Sequence, residues 1–342
     1  MKQISLIKPQ IQDKRRTKMQ RLMETIAAND KGKFDLITPL QALEFTDEGM
    51  ATPTLVDREH ERHFELDEWA YGQVCFRLGM PSGYMKKLPL DLQVPHFQHW
   101  LGTTINADEK SREVLLRARE NDGGRPNTLR AFLSGKYGIL DNKDAVQMLY
   151  DVAKDVDWKW HVQTAHLSDR SMVARLVFGD RKLLATKDDL MPGLVLSNSE
   201  VGALQVTIGM MVYRLACTNG MIVGESIWEV KRKHIGGADG QFAERIKTLL
   251  GEVPNAVVRM EGIVSIAEKK MIAESYMAKL EARTSKKFME VVASTVASEY
   301  GGQNTHWALA NAISRRSQDS VSAEKRLDYD ELAGEVLLKA AA

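Results

Sequence analysis

Between residues 157 and 230 the chain breaks into six short runs, DWKWHVQTAHL, SMVARLVFG, RKLLATK, PGLVLSN, ALQVTIGMMVYRLACT and MIVGESIWEV. They are rich in β-branched and aromatic residues, and Asp, Ser, Gly and Asn separate them, which is the composition of strands between turns. Several strands joined by short connections pair as an antiparallel or mixed sheet, not as the parallel sheet of alternating α/β units.

The flanks carry a different period. The stretch LDEWAYGQVCFRLGM places Leu66, Trp69, Val74, Phe76 and Leu78 near helical spacing, with Asp67 and Glu68 in the first turn, where acids favour the helix dipole. That helix should stop at Gly79-Met80-Pro81. Short helices are also expected in LMETIAAND, SGYMKKLP and LQVPHFQHWL, and a longer one in NKDAVQMLYDVAK, where Ala145, Val146, Leu149 and Val152 share a face. From Asp239 onward Ala, Glu, Lys, Met and Leu dominate and the signal is helical. The expected fold is α+β, with a central antiparallel or mixed sheet, N-terminal helices and a helical C-terminal half packed on the sheet. The organisation reads as a basic arm over residues 1–30, a helical segment plus sheet domain over 31–238, and a helical region over 239–342.

At 342 residues, 44% hydrophobic and 27% charged, the chain can bury a large core without disulfides or metal. Two cysteines, Cys75 and Cys217, suit reduced thiols. No apolar run reaches membrane-spanning or signal-peptide length, so a cytoplasmic protein without a membrane partner is expected. Net charge is only +1, but residues 1–21 hold seven Lys/Arg, Arg15 and Arg16 among them, against Asp13 alone. Such an arm is either a solvated leader or a phosphate contact.

Four polar clusters stand out: LRAFLSGKYGILDN (129–142), LSNSEVG (196–202), RLACTNG (214–220) and KRKHIGG (231–237). None is a phosphate-binding loop, a dinucleotide fingerprint, a nucleophile elbow or a zinc-protease helix. Asn219-Gly220 between apolar runs is a hairpin-turn signal, because a type I′ turn needs positive φ at both central residues. Arg214, within an apolar strand, requires solvent, a carboxylate or a phosphate; Glu200 is one candidate partner. Lys231, Arg232, Lys233 and His234 before Gly-Gly suit phosphate contact or a solvated strand end equally. Cys217 and His234 could be drawn as nucleophile and base, but Cys217 sits in an apolar run that favours a small buried hydrophobe. His60/His63 and His96/His99 form H-x-x-H pairs without further ligands of metal spacing. No metal and no cofactor is expected.

Taken in order, RAFLSGKYGILDN, GLVLSNSEVG, VYRLACTNGMI and KHIGG, with CFRLGMPSGYMKKLPLDL before them and THWALANAISRRSQD after, resemble the phage/plasmid-like family defined by a domain of unknown function, DUF932. The resemblance covers roughly residues 66 to 320. It implies a mobile-element setting in a bacterial host cell and no assigned activity. It also implies that the Asn219 turn lies beside Ser197–Glu200 and His234.

Three readings follow. The first is a nucleic-acid-binding protein, favouring single-stranded DNA, of the annealing or recombination-accessory kind, acting as a homo-oligomer. Its contacts would be Arg130, Lys136, Arg214, Lys231, Arg232, Lys233 and His234, with Arg15 and Arg16 from the arm. Tyr137, Tyr213 and Trp228 would be stacking platforms or core residues. The polar cluster of Ser197, Asn198, Glu200, Thr218 and Asn219 would lie alongside. The second is an effector that binds a host protein. The third is an enzyme acting on a nucleotide or nucleic acid through Glu200, His234 and Cys217.

Overall fold

The computed structural model describes residues 4–5, 17–107, 113–153, 159–179, 190–214, 219–222, 229–232, 234, 239–319 and 322–342. Arg15, Arg16, Cys217, Thr218, Trp228, Lys233 and the run RKLLATK lie outside them, as do the side chains of Arg214, Asn219 and Arg232.

The N-terminal part is not helical alone. In chain order it contains β1 (Ile4–Ser5), α1 (Lys18–Asn29), β2 (Lys33–Pro39), β3 (Leu43–Thr46), β4 (Thr54–Asp57), β5 (Arg62–Leu66), α2 (Glu68–Arg77), α3 (Ser82–Met85), α4 (Leu90–Ala107), β6 (Glu113–Arg119) and β7 (Asn127–Ser134). Strands β2-β6-β7-β5-β4-β3 form a six-stranded sheet, antiparallel except for β5 against β7. Of this second sheet only β6 marks itself in the sequence, as the strand-like run VLLRAR; β3, β4 and β5 are only four or five residues long, too short for period-2 alternation to declare itself. Its core joins Leu55, Phe64, Leu116 and Leu129 to Tyr71, Val74 and Phe97 of α2 and α4.

Helix α2 illustrates how local chemistry sets an element. The Asp67 side chain caps its start, accepting from the Ala70 N–H at 2.7 Å. Gly79 follows its last turn at φ +70°, the left-handed geometry that ends helices. Its buried face is Ala70, Tyr71, Val74 and Cys75, so Phe76, about 200° round from Val74 at 3.6 residues per turn, is 88% exposed. Replacing Asp67 by Ala should cost about 1 kcal/mol, the usual worth of an N-cap. Urea denaturation checks this.

The central sheet is as expected in kind. After α5 (Asn142–Ala153) come β8 (Trp160–Leu167), β9 (Met172–Phe178), β10 (Leu190–Asn198), β11 (Val206–Arg214), β12 (Asn219–Ile222) and β13 (Glu229–Arg232). The order is β1-β8-β9-β10-β11-β12, with β13 also on β11, and every pairing is antiparallel. The hairpin after β11 forms, but Asn219 and Gly220 are not its corner. Arg214 pairs with Asn219 and Tyr213 with Gly220, so both residues open β12. Burial decides this register over turn propensity: Met221 and Ile222, each 1% exposed, come opposite Val212 and Met211 and pack on the two faces of the sheet.

Helices α6 (Asp239–Ala267), α7 (Glu274–Arg283), α8 (Lys286–Glu299), α9 (His306–Ser317) and α10 (Ala323–Leu338) complete the chain. Helix α6 runs through Pro254 without a break. The main core joins Leu176, Leu196, Ile208 and Val212 of one sheet face to α1, α5, α6, α8 and α9. The other face, with Val173, Val195, Met211 and Tyr213, meets Leu327 of α10. There Arg175 is ion-paired to the buried Asp330, which also accepts from Ser317 Oγ at 2.7 Å. Among the described residues no helix is long and apolar enough to cross a membrane, and no cluster of His, Cys, Asp and Glu could hold a metal.

Candidate functional site

The segment that leaves β10, Ser199-Glu200-Val201, plugs into the N-terminal sheet. Glu200 is 3% exposed. Its Oε2 accepts from Lys33 Nζ of β2 at 2.7 Å and from Arg130 Nη2 of β7 at 3.0 Å, and its Oε1 accepts from the Asn142 N–H at 3.1 Å. Burial pushes this carboxyl up, but the charge and hydrogen bond of Lys33, with Arg130 and the Asn142 amide, outweigh it and hold the pKa at about 2. Arg117 of β6 donates to the Glu200 carbonyl at 2.8 Å, to Asp35 at 2.9 Å and to Asp141 at 2.5 Å. Trp69 and Gln73 of α2 both donate to the Val201 carbonyl at 2.8 Å. Asn198 donates to the Leu140 carbonyl and to Asn142, and Ser199 to the Arg170 carbonyl at 2.6 Å. This is a clasp between the two sheets.

The clasp reassigns two predicted site residues. Arg130 is 4% exposed and faces Glu200, so its guanidinium is not offered to a phosphate backbone. The other clusters part company. Tyr137 and His234 meet, their rings stacked at 4.8 Å and 8°, with His234 Nδ1 and the Gly138 carbonyl 3.1 Å apart. Lys231, on β13, forms an ion pair with Glu229 at 2.9 Å, and Lys136 is exposed in the turn after β7. Arg214 and Asn219 sit elsewhere. Arg214 pairs with Leu190, whereas Ser197 pairs with Thr207, seven residues away along β11, or about 23 Å at 3.3 Å per residue. The expected meeting of the Asn219 turn with Ser197–Glu200 and His234 does not occur.

A groove that the cluster reading missed lies where α1 and α5 cross the edge of β8. Its cavity is about 1000 Å³, lined by Met19, Met23, Val146, Tyr150, Trp160 and Val162, with Thr17 and Lys18 at one end. Tyr150 is 43% exposed, and its ring meets Trp160 edge-on at 5.9 Å and 72°. The Trp160 indole N–H donates to the Ala153 carbonyl at 3.3 Å. A capping box fixes the start of α1: Gln20 N–H donates to Thr17 Oγ1 at 3.2 Å and Thr17 N–H to Gln20 Oε1 at 2.8 Å. Lys18 Nζ donates to the Gln163 carbonyl at 3.0 Å, and burial lowers its pKa. Thr17 directly follows Arg15-Arg16 within the basic arm. No local pattern signals this groove, because Thr17 and Lys18 meet Tyr150 and Trp160 only through the tertiary fold.

A family profile described as Domain of unknown function (DUF932) matches residues 131–325, more than half of the chain. The chain belongs to the DUF932 family. No curated protein and no solved structure matches it. The DUF932 region begins inside β7 and takes in α5, strands β8 to β13 and helices α6 to α9. Lys33, Arg117 and Arg130 precede it, so the Glu200 clasp ties the DUF932 region to the sheet that comes before it. The groove likewise spans the boundary, with α1 outside the match and α5 and β8 inside.

Proposed function

We propose that this DUF932 protein binds nucleic acid, with single-stranded DNA preferred, in the groove between α1, α5 and β8. The observation that carries the reading is the partly exposed Tyr150–Trp160 pair in a groove lined also by Thr17 and Lys18, which belong to a sequence segment with seven cations in 21 residues. Single-strand binding needs both parts: cations that follow the backbone and ring faces on which unpaired bases stack. Duplex bases are already stacked and cannot use the rings, which is why the single strand is preferred.

Fluorescence anisotropy of a labelled oligothymidine and of a duplex, over a salt series, tests the reading. Single-strand affinity is expected to fall by about tenfold or more between roughly 50 and 200 mM salt. Tyr150→Ala removes an exposed ring and should weaken binding by about 5- to 150-fold, the range for loss of one base stack. Substituting Lys231, which faces another cavity, should leave binding unchanged. Absence of binding at low salt, or equal affinity for duplex with no effect of Tyr150→Ala, would sink the proposal.

A further inference from the structure

A second cavity, of about 500 Å³, lies on the face of the central sheet covered by α10, well within the size range of small-molecule sites. Its floor is a row set by strand register. Ser197 of β10 pairs with Thr207 of β11, and Thr207 pairs with Lys231 of β13, so the two hydroxyls and the ammonium stem from adjacent positions on one face. Ser197 is 1% exposed, and its hydroxyl has no hydrogen-bond partner among the described residues. Thr207 beside it is 6% exposed. A buried hydroxyl is ordinarily satisfied, and an orphan in a cavity lining calls for a missing partner.

The walls give the sign of that partner. The Tyr137–His234 stack forms one side, and Asp328 and Glu331, one turn apart on α10, form the other. Among the described side chains here, Lys231 is the cation, and Glu229 already holds it at 2.9 Å. Glu331 thus lies within electrostatic range of two further carboxylates, Glu229 and Asp328, and of the single ammonium of Lys231. Burial first, then the neighbouring Glu229 and Asp328, push Glu331 above its ordinary value against the pull of Lys231. Such a wall disfavours phosphate and favours a second positive charge.

We propose that this cavity binds a small organic amine, whose ammonium group sits between Asp328 and Glu331 and whose remaining polar atoms bond to the Ser197–Thr207 floor. The site is separate from the groove and does not depend on the nucleic-acid reading.

The test is titration calorimetry of the full chain with putrescine, spermidine, glucosamine and lysine at up to millimolar concentration, against glucose and glucose 6-phosphate. At least one amine is expected to bind, and glucose 6-phosphate is not. Glu331→Gln keeps the shape and removes the charge; it should weaken the amine by about tenfold or more, as for a lost hydrogen bond to a charged group. Ser197→Ala removes only the orphan hydroxyl, leaves the melting curve intact, and should weaken the same amine by about three- to tenfold. The proposal is overturned if no amine binds, if the phosphate ester binds instead, or if an amine binds with affinity unchanged in both variants.

Discussion

Glu200→Ala is expected to destabilise the protein by about 3–5 kcal/mol, the cost of breaking a buried ion pair from one side. The substitution leaves Arg130, its side chain 5% exposed, without the carboxylate it pairs with, and leaves Lys33, 11% exposed, to Asp30 alone. It also strips the Asn142 N–H of its acceptor. Urea unfolding followed by tryptophan fluorescence should show the midpoint falling sharply; a loss below about 1 kcal/mol would mean that the clasp does not hold the sheets together. The same residue predicts an acid response. Its ordinary pKa of 4.5 is held at about 2 in the folded chain, so the unfolded state takes up the proton first as pH falls. The stability Glu200 contributes is full above about pH 4.5 and is lost as pH falls through about 2. A Glu200→Gln chain should lack this part of the acid dependence, and parallel melts between those pH values compare the two.

Gly193→Ala should be as damaging for a different reason. Gly193 lies in the middle of β10, between Val177 of β9 and Met211 of β11. A Cβ there would overlap the Leu176 carbonyl oxygen and approach Met211 Cε to 2.9 Å. The methionine end can swing away. The carbonyl belongs to the neighbouring strand, so relief requires the β9–β10 ladder to part. The expected loss is about 3 kcal/mol or more, at the upper end for overpacking, with poor soluble yield. Gly72→Ala is the control: Gly72 lies within α2 with nothing within 4 Å of the added carbon, and it should gain about 0.5–1 kcal/mol from helix propensity. If Gly193→Ala melts with the wild type, β10 and β9 are spaced more widely than described.

Particular residues show where local pattern succeeded and where it stopped. The strands β8 to β11 were legible because each is seven to nine residues long and apolar enough to mark itself. Of the N-terminal sheet only the VLLRAR run of β6 marked itself, since β3 to β5 are too short for period. Asn219-Gly220 carried a strong turn signal and still entered a strand, because packing Met221 and Ile222 on the two sheet faces outweighs a turn preference. Arg130 and Glu200 stood out in the sequence as members of its polar clusters. That they satisfy one another across two sheets, 70 positions apart, is not a property of either neighbourhood.

By itself, then, the sequence determined the α+β class, an antiparallel or mixed central sheet, the helical C-terminal half and the family, because periodicity, turn chemistry and motif order are local in the chain. Tertiary structure alone decided which polar residues are spent inside and which face solvent. It turned Glu200 and Arg130 into a clasp, set Arg214 and Asn219 at the far end of β11, brought the foot of the basic arm to Tyr150 and Trp160, and lined up Ser197, Thr207 and Lys231 by register. The reason is that burial of charge and pairing of hydroxyls depend on neighbours that the chain supplies from tens of residues away.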